Sequence, residues 1–171
     1  MKTIEIRRHS HRNAPLPHLS QKGVTLARLV GENLGPFDRV VTSTVPRAFE
    51  TAIAMGFAVD EQVDLLSTYG AGIESVIPWP QPFSVYQARR GDPGVLPYLH
   101  ALTAFYKSLA GSLSDGRAAL VVSHGGVVEL STIACIPEAD YGMEGPVGLC
   151  EGVRLAWDNG KCISVEFIRI S

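Results

Sequence analysis

Three stretches of this 171-residue chain carry side chains able to do chemistry together: Arg8-His9, Ser43-Thr44 with Arg47, and Ser123-His124-Gly125-Gly126. Two guanidiniums and two imidazoles, with no carboxylate among them, do not make a usual metal site. They suit a phosphoryl group. Arginine presents paired planar donors that match phosphate oxygens. A neutral imidazole can attack phosphorus in line while the arginines offset charge on the equatorial oxygens. A second imidazole, charged by its phosphate partner, adds a further donor. Such chemistry passes through a covalent phosphohistidine, resolved by water or by a second acceptor. Hydrolysis also needs an acid that protonates the leaving oxygen and then acts as base on water.

The residues around these stretches indicate what positions them. Thr3 to Arg7 reads as a short buried strand that ends in the basic loop Arg8-His9-Ser10-His11-Arg12. Ser20 is a helix N-cap candidate, and Leu26, Val30 and Leu34 then recur at helical spacing until Gly35-Pro36. Asp38 to Thr42 is a second strand, and Pro46 fits the first turn of the helix that follows. The free N–H groups of that turn favour an anion beside Arg47. Ala118 to Ser123 is an apolar run suited to a central parallel strand. Helical segments separate the three strands, so right-handed crossovers should make them parallel and bring their C-terminal tips to one edge. That alone gathers Arg8, His9, Arg47 and His124 around one pocket. Ser43 serves either as an N-cap or as a ligand contact. Gly125-Gly126 serves either a tight turn or a close approach of phosphate to backbone.

The rest of the chain sets bounds. Apolar residues make up 46%, enough for a packed core. The length fits one domain, residues 1–171. Net charge is -2, which argues against a general nucleic-acid binder. No apolar run is long enough to span a bilayer, and the N-terminus has no signal-like segment, which for a bacterial source points to the cytoplasm. Cys135, Cys150 and Cys162 lack metal or disulfide spacing. Residues 70–97 hold five prolines and exclude a long regular element; a substrate-covering insertion is expected there, with a short helix near Ser84 to Arg90. Trp79, Phe83, Tyr86, Arg89 and Arg90 serve there either to choose the substrate or in tertiary packing. Leu99 to Leu113 traces a helical stripe. Val153–Trp157 and Cys162–Ile168 flank Asp158-Asn159-Gly160-Lys161, a hairpin signal.

Four ordered blocks, Arg8-His9, Leu19-Ser20-x-x-Gly23, Ser43-Thr44-x-x-Arg47-Ala48-x-x-Thr51-Ala52 and Ser123-His124-Gly125-Gly126, resemble the histidine phosphatase superfamily, the clan of cofactor-dependent phosphoglycerate mutase. The resemblance spans roughly positions 4 to 135. It implies His9 as nucleophile, Arg8 and Arg47 as phosphate clamps and His124 as the second pocket histidine. It also implies a three-layer, doubly wound α/β fold with a mostly parallel central sheet, here closed by a C-terminal antiparallel hairpin. Two departures stand out. Ser10 replaces the usual glycine after Arg-His, adding a side chain expected at the pocket floor. The family's Glu before a glycine is missing from Leu65-Leu66-Ser67-Thr68-Tyr69-Gly70. Glu74, in what reads as a glycine-bearing loop, is the preferred proton donor, with Asp64 the other candidate.

The expected activity is a metal- and cofactor-independent phosphatase acting on a small phosphate ester or a phosphoprotein. Ser10, Ser43 and Gly125 are expected to contact substrate. A mutase is disfavoured because no basic residues stand out for a second anionic group. The competing readings are a phosphate-binding regulatory module with little turnover, and a metal hydrolase using His9, His11 and His124. Oligomeric state is not legible.

Overall fold

The computed structural model describes residues 1–170; Ser171, the last residue of the expected domain, lies outside the described residues. A six-stranded sheet in the order β3-β2-β4-β1-β5-β6 forms the centre. Its strands are β1 (Lys2–Arg8), β2 (Arg39–Thr42), β3 (Glu61–Gln62), β4 (Ala118–Ser123), β5 (Gly152–Asp158) and β6 (Lys161–Ile168). β1, β2, β3 and β4 run parallel, and β5 and β6 add an antiparallel hairpin beside β1. The turn of that hairpin puts Asn159 and Gly160 at φ 48° and 75°, the left-handed pair its sequence calls for.

Helices cover both faces. On one lie α1 (Gln21–Gly31) and α2 (Pro46–Ala54). Ala27, Ala48, Ala52 and Met55 pack there against Val40, Leu120 and Val122. On the other lie α3 (Gly70–Val76), α4 (Phe83–Ala88), α5 (Leu96–Ser112) and α6 (Val127–Cys135). Here Ile4, Ile6, Ala119 and Val121 meet Leu99, Leu102, Tyr106, Leu130 and Ile133. β4 therefore alternates its side chains between two buried faces, as a central strand of a three-layer fold must. Ser20 caps α1, its hydroxyl accepting from Gly23 N at 3.1 Å.

Some expectations change in detail. α1 ends at Gly31 rather than running to Leu34; Gly31 packs against the backbone of Met55, where a Cβ would lie 2.1 Å from the carbonyl oxygen. Residues 70–97 hold two short helices, and Phe83 and Tyr86 are fully buried core residues rather than a cover. Arg90 pairs with Glu138. Among the described residues, no helix is long and apolar enough to cross a membrane.

Candidate active site

The chain extends the sheet's bonding past the end of β1. Arg8 N donates to Glu151 O (2.8 Å), His9 N to Ser123 O (2.9 Å) and Cys150 N to Arg8 O (3.1 Å). Arg7 turns away beneath this loop, bound to Glu5 and to the carbonyl of Cys150. Ser43 N donates to Val122 O at 3.1 Å. Since β4 lies between β2 and β1, His124 falls between the Ser43–Arg47 segment and Arg8-His9.

His9 is 6% exposed and His124 7%, and their ring centroids are 5.1 Å apart. His9 Nδ1 lies 2.6 Å from Ser10 O. A carbonyl only accepts, so Nδ1 carries the proton and Nε2 keeps its lone pair. Arg47 Nε donates to that lone pair at 3.1 Å. The guanidinium and the unprotonated ring nitrogen thus address one point. Burial, the largest cause, lowers the His9 pKa to about 4; the hydrogen bond to the Ser10 carbonyl opposes it, and the fields of Arg47, Arg8 and Arg12 add to the lowering. Burial and then His9, Arg47 and Arg8 lower His124 to about 3. Both rings are neutral at neutral pH, as nucleophilic attack by His9 requires. His124 Nε2 lies 2.7 Å from Ser43 Oγ, and its Nδ1 is buried without a partner among the described residues.

Arg8 is fixed from two sides. Its Nη1 donates to Val147 O at 3.1 Å, and its guanidinium lies 5.1 Å from the centre of the Trp79 ring, in cation–π range. Two glycines make room for aromatic walls. A Cβ on Gly125 would lie 2.3 Å from the Trp79 ring, and one on Gly126, already at φ 83°, would lie 2.1 Å from Tyr69.

Arg8, His9, His11, Arg12, Arg47 and His124 line a cavity of about 530 Å³. A second compartment of about 370 Å³ adjoins it, sharing Arg47, Trp79, His124 and Gly125, and is lined further by Ser67, Thr68, Tyr69 and Glu74. Of the sequence candidates, Arg8, His9, Arg47, His124 and Gly125 come together, with Glu74 in the adjoining compartment. Ser43 reaches the site through His124. Ser10 does not line it. Its hydroxyl is fully buried and donates to Gly23 O at 2.7 Å, tying the loop to α1, so its link to the site is the backbone carbonyl that orients His9.

Glu74 sits in helix α3, not in a loop, and accepts from the Tyr69 hydroxyl and from Trp79 N. Asp64 accepts from Thr44 Oγ1 at 3.0 Å and lines neither compartment. Among the described residues, no three His, Cys, Asp or Glu side chains are grouped to hold a metal, His9, His11 and His124 included.

Sequence reasoning passed over Glu129. It is fully buried, and its oxygens accept from Gly126 N (2.7 Å) and Val147 N (3.0 Å), joining the His124 turn to the loop that holds Arg8. Burial pushes its carboxyl up to about 7 against those bonds and the pull of Arg8. An acid inside the apolar run Val127-Val128-Glu129-Leu130 was the available signal. His11 and Arg12, the end of the basic loop, both line the cavity. They are basic groups beside Arg8 and Arg47 that the sequence alone did not place there.

No protein-family profile matches the sequence, and no curated protein sequence matches it. Solved structures do. The phosphoserine phosphatase of Entamoeba histolytica, in complex with 3-phosphoglyceric acid, matches with a TM-score of 0.72 at 14% identity, over 99% of this chain and 98% of that one. Mycobacterial glucosyl-3-phosphoglycerate phosphatase, in complex with VO3, matches with a TM-score of 0.71 at 19% identity, over the whole of both chains. A Thermus thermophilus protein matches with a TM-score of 0.61 at 20% identity, over 98% of this chain and 99% of that one. The chain has the fold of these proteins, which is the phosphoglycerate mutase-like α/β fold that the four sequence blocks imply.

Proposed function

We propose that this chain is a metal-independent phosphatase of the histidine phosphatase superfamily, hydrolysing a phosphate monoester through a phosphohistidine on His9. One observation carries the reading: His9 Nε2, with its lone pair set by the Ser10 carbonyl, meets Arg47 Nε at 3.1 Å in a cavity that Arg8 and His124 also line. Attack by Nε2 on phosphorus forms the N–P bond as the ester P–O bond breaks, while Arg8 and Arg47 take the equatorial oxygens. His124 Nδ1, which has no partner among the described residues, is the further donor to the phosphoryl group once protonated there. Glu74, in the adjoining compartment, is the donor to the leaving oxygen and then the base on the water that breaks the N–P bond. Ester and water thus yield alcohol and phosphate. The substrate is a small phosphorylated molecule or a phosphoprotein.

A second reading is a phosphate-binding module with little turnover. It is favoured by the engagement of both Glu74 oxygens with Tyr69 and Trp79, and by the lack of any carboxylate at residues 65–70. Release of phosphate from an aryl phosphate tests the two. The enzymatic reading expects turnover that is lost in His9→Ala and indifferent to chelator. Vanadate or phosphate binding with no turnover of any ester supports the module.

A further inference from the structure

The cavity holds more positive charge than a single phosphate ester uses. Arg8, Arg12 and Arg47 line it together, and no Asp or Glu does. Among the described residues, none of the three pairs with a carboxylate within ion-pair distance. Both imidazoles are neutral there, and a phosphate monoester brings at most two negative charges. Glu129 and Glu151 lie behind Arg8 and attract it, and Glu151 is already bound to Arg169. The charges felt at Arg47 are Arg12 and then Arg8, both repulsive.

Depth separates the three arginines. The nucleophile and His124 form the floor, whereas Arg12 is exposed and His11 half-buried at the rim. The Arg12 backbone is nonetheless pinned. It forms an isolated antiparallel bridge with Leu19, next to bonds from Asn13 N to His18 O (2.8 Å) and from Ser20 N to His11 O (3.0 Å). The same loop receives Arg47 N on Pro17 O at 2.9 Å. A guanidinium on a fixed rim meets the part of a substrate that projects beyond the phosphate.

We propose that Arg12, with His11 beside it, is a specificity residue for a second anionic group, so that the substrate is a phosphate monoester whose organic part carries a carboxylate or another phosphate near the scissile one. This deepens the phosphatase reading and rests on it. The test compares two esters differing by one charge, 3-phosphoglycerate and glycerol 3-phosphate, in wild type, Arg12→Ala and Arg12→Lys. The wild-type enzyme should favour the carboxylate ester in kcat/KM by about tenfold or more, as expected for a charge-assisted contact. Arg12→Ala should collapse that ratio through KM rather than kcat, and Arg12→Lys should restore part of it. An equal loss on both esters, carried in kcat, would place Arg12 on the transferring phosphate and overturn the proposal; so would an unchanged ratio. If neither ester nor an aryl phosphate is hydrolysed, the phosphatase reading has failed. Calorimetric binding of the same two esters then decides the Arg12 proposal by the same ratio.

Discussion

At the scale of single residues the site depends on keeping His9 neutral with its lone pair on Nε2. Burial and three guanidiniums favour the neutral ring, and the Ser10 carbonyl selects its tautomer. His9 and His124 should therefore titrate near 4 and near 3 by NMR, well below the ordinary histidine value of 6.5. Between those values the folded chain binds fewer protons than the unfolded one. Stability should therefore fall as pH drops from about 6.5 toward 3. Inorganic phosphate should move both titrations upward, because an anion favours the charged rings. A free-protein titration at the ordinary value would show that the rings are more solvated than their burial implies. Arg8, His9, Arg47 and His124 were legible in the sequence because each lies at the end of a strand or the opening of a helix. The tautomer was not, since it depends on the path of one carbonyl.

At the scale of elements the fold positions these residues through backbone bonds at strand tips and through one buried acid. Glu129 joins the Gly126 turn to Val147, whose carbonyl holds Arg8. Glu129→Ala should leave two buried N–H groups unpaired and, at about 1–3 kcal/mol for each, cost about 2–6 kcal/mol in chemical denaturation. Its pH signature has the opposite sign to that of the histidines. With the folded carboxyl pushed up to about 7 from 4.5, the native state binds the extra proton. Its contribution to stability is lost as pH rises through that window, and the variant should lack this slope. An unchanged slope would mean that Glu129 titrates normally. The strands, their parallel order and the hairpin were readable from apolar runs and turn residues. The bond from Glu129 to Val147 spans 18 residues and has no local pattern. In residues 70–97 the short helix near Ser84 to Arg90 was readable and stands as α4, whereas α3 was hidden in proline-broken chain. Whether Phe83 goes to the core or Trp79 to the cleft is decided by packing on Gly125 and on the sheet.

At the scale of the whole molecule, topology makes the cleft. The chain passes from β1 to β2 and β3 with α1 and α2 on one face, then returns with α3 to α5 on the other to insert β4 between β2 and β1. Crossovers diverge at that point, which is where open α/β sheets bind ligands. His124 is delivered there last, between two tips already in place. A chain of net charge -2 thereby concentrates three arginines at one mouth, which favours capture of an anion. The central claim is that His9 becomes phosphorylated. Rapid acid-free quenching during turnover of an aryl phosphate, followed by intact-protein and peptide mass spectrometry, tests it most directly. The account predicts one phosphoryl group on His9 in the wild-type protein, labile to acid, and neither label nor turnover in His9→Asn. Undiminished turnover in His9→Asn, or a phosphoryl group on another residue, would contradict it.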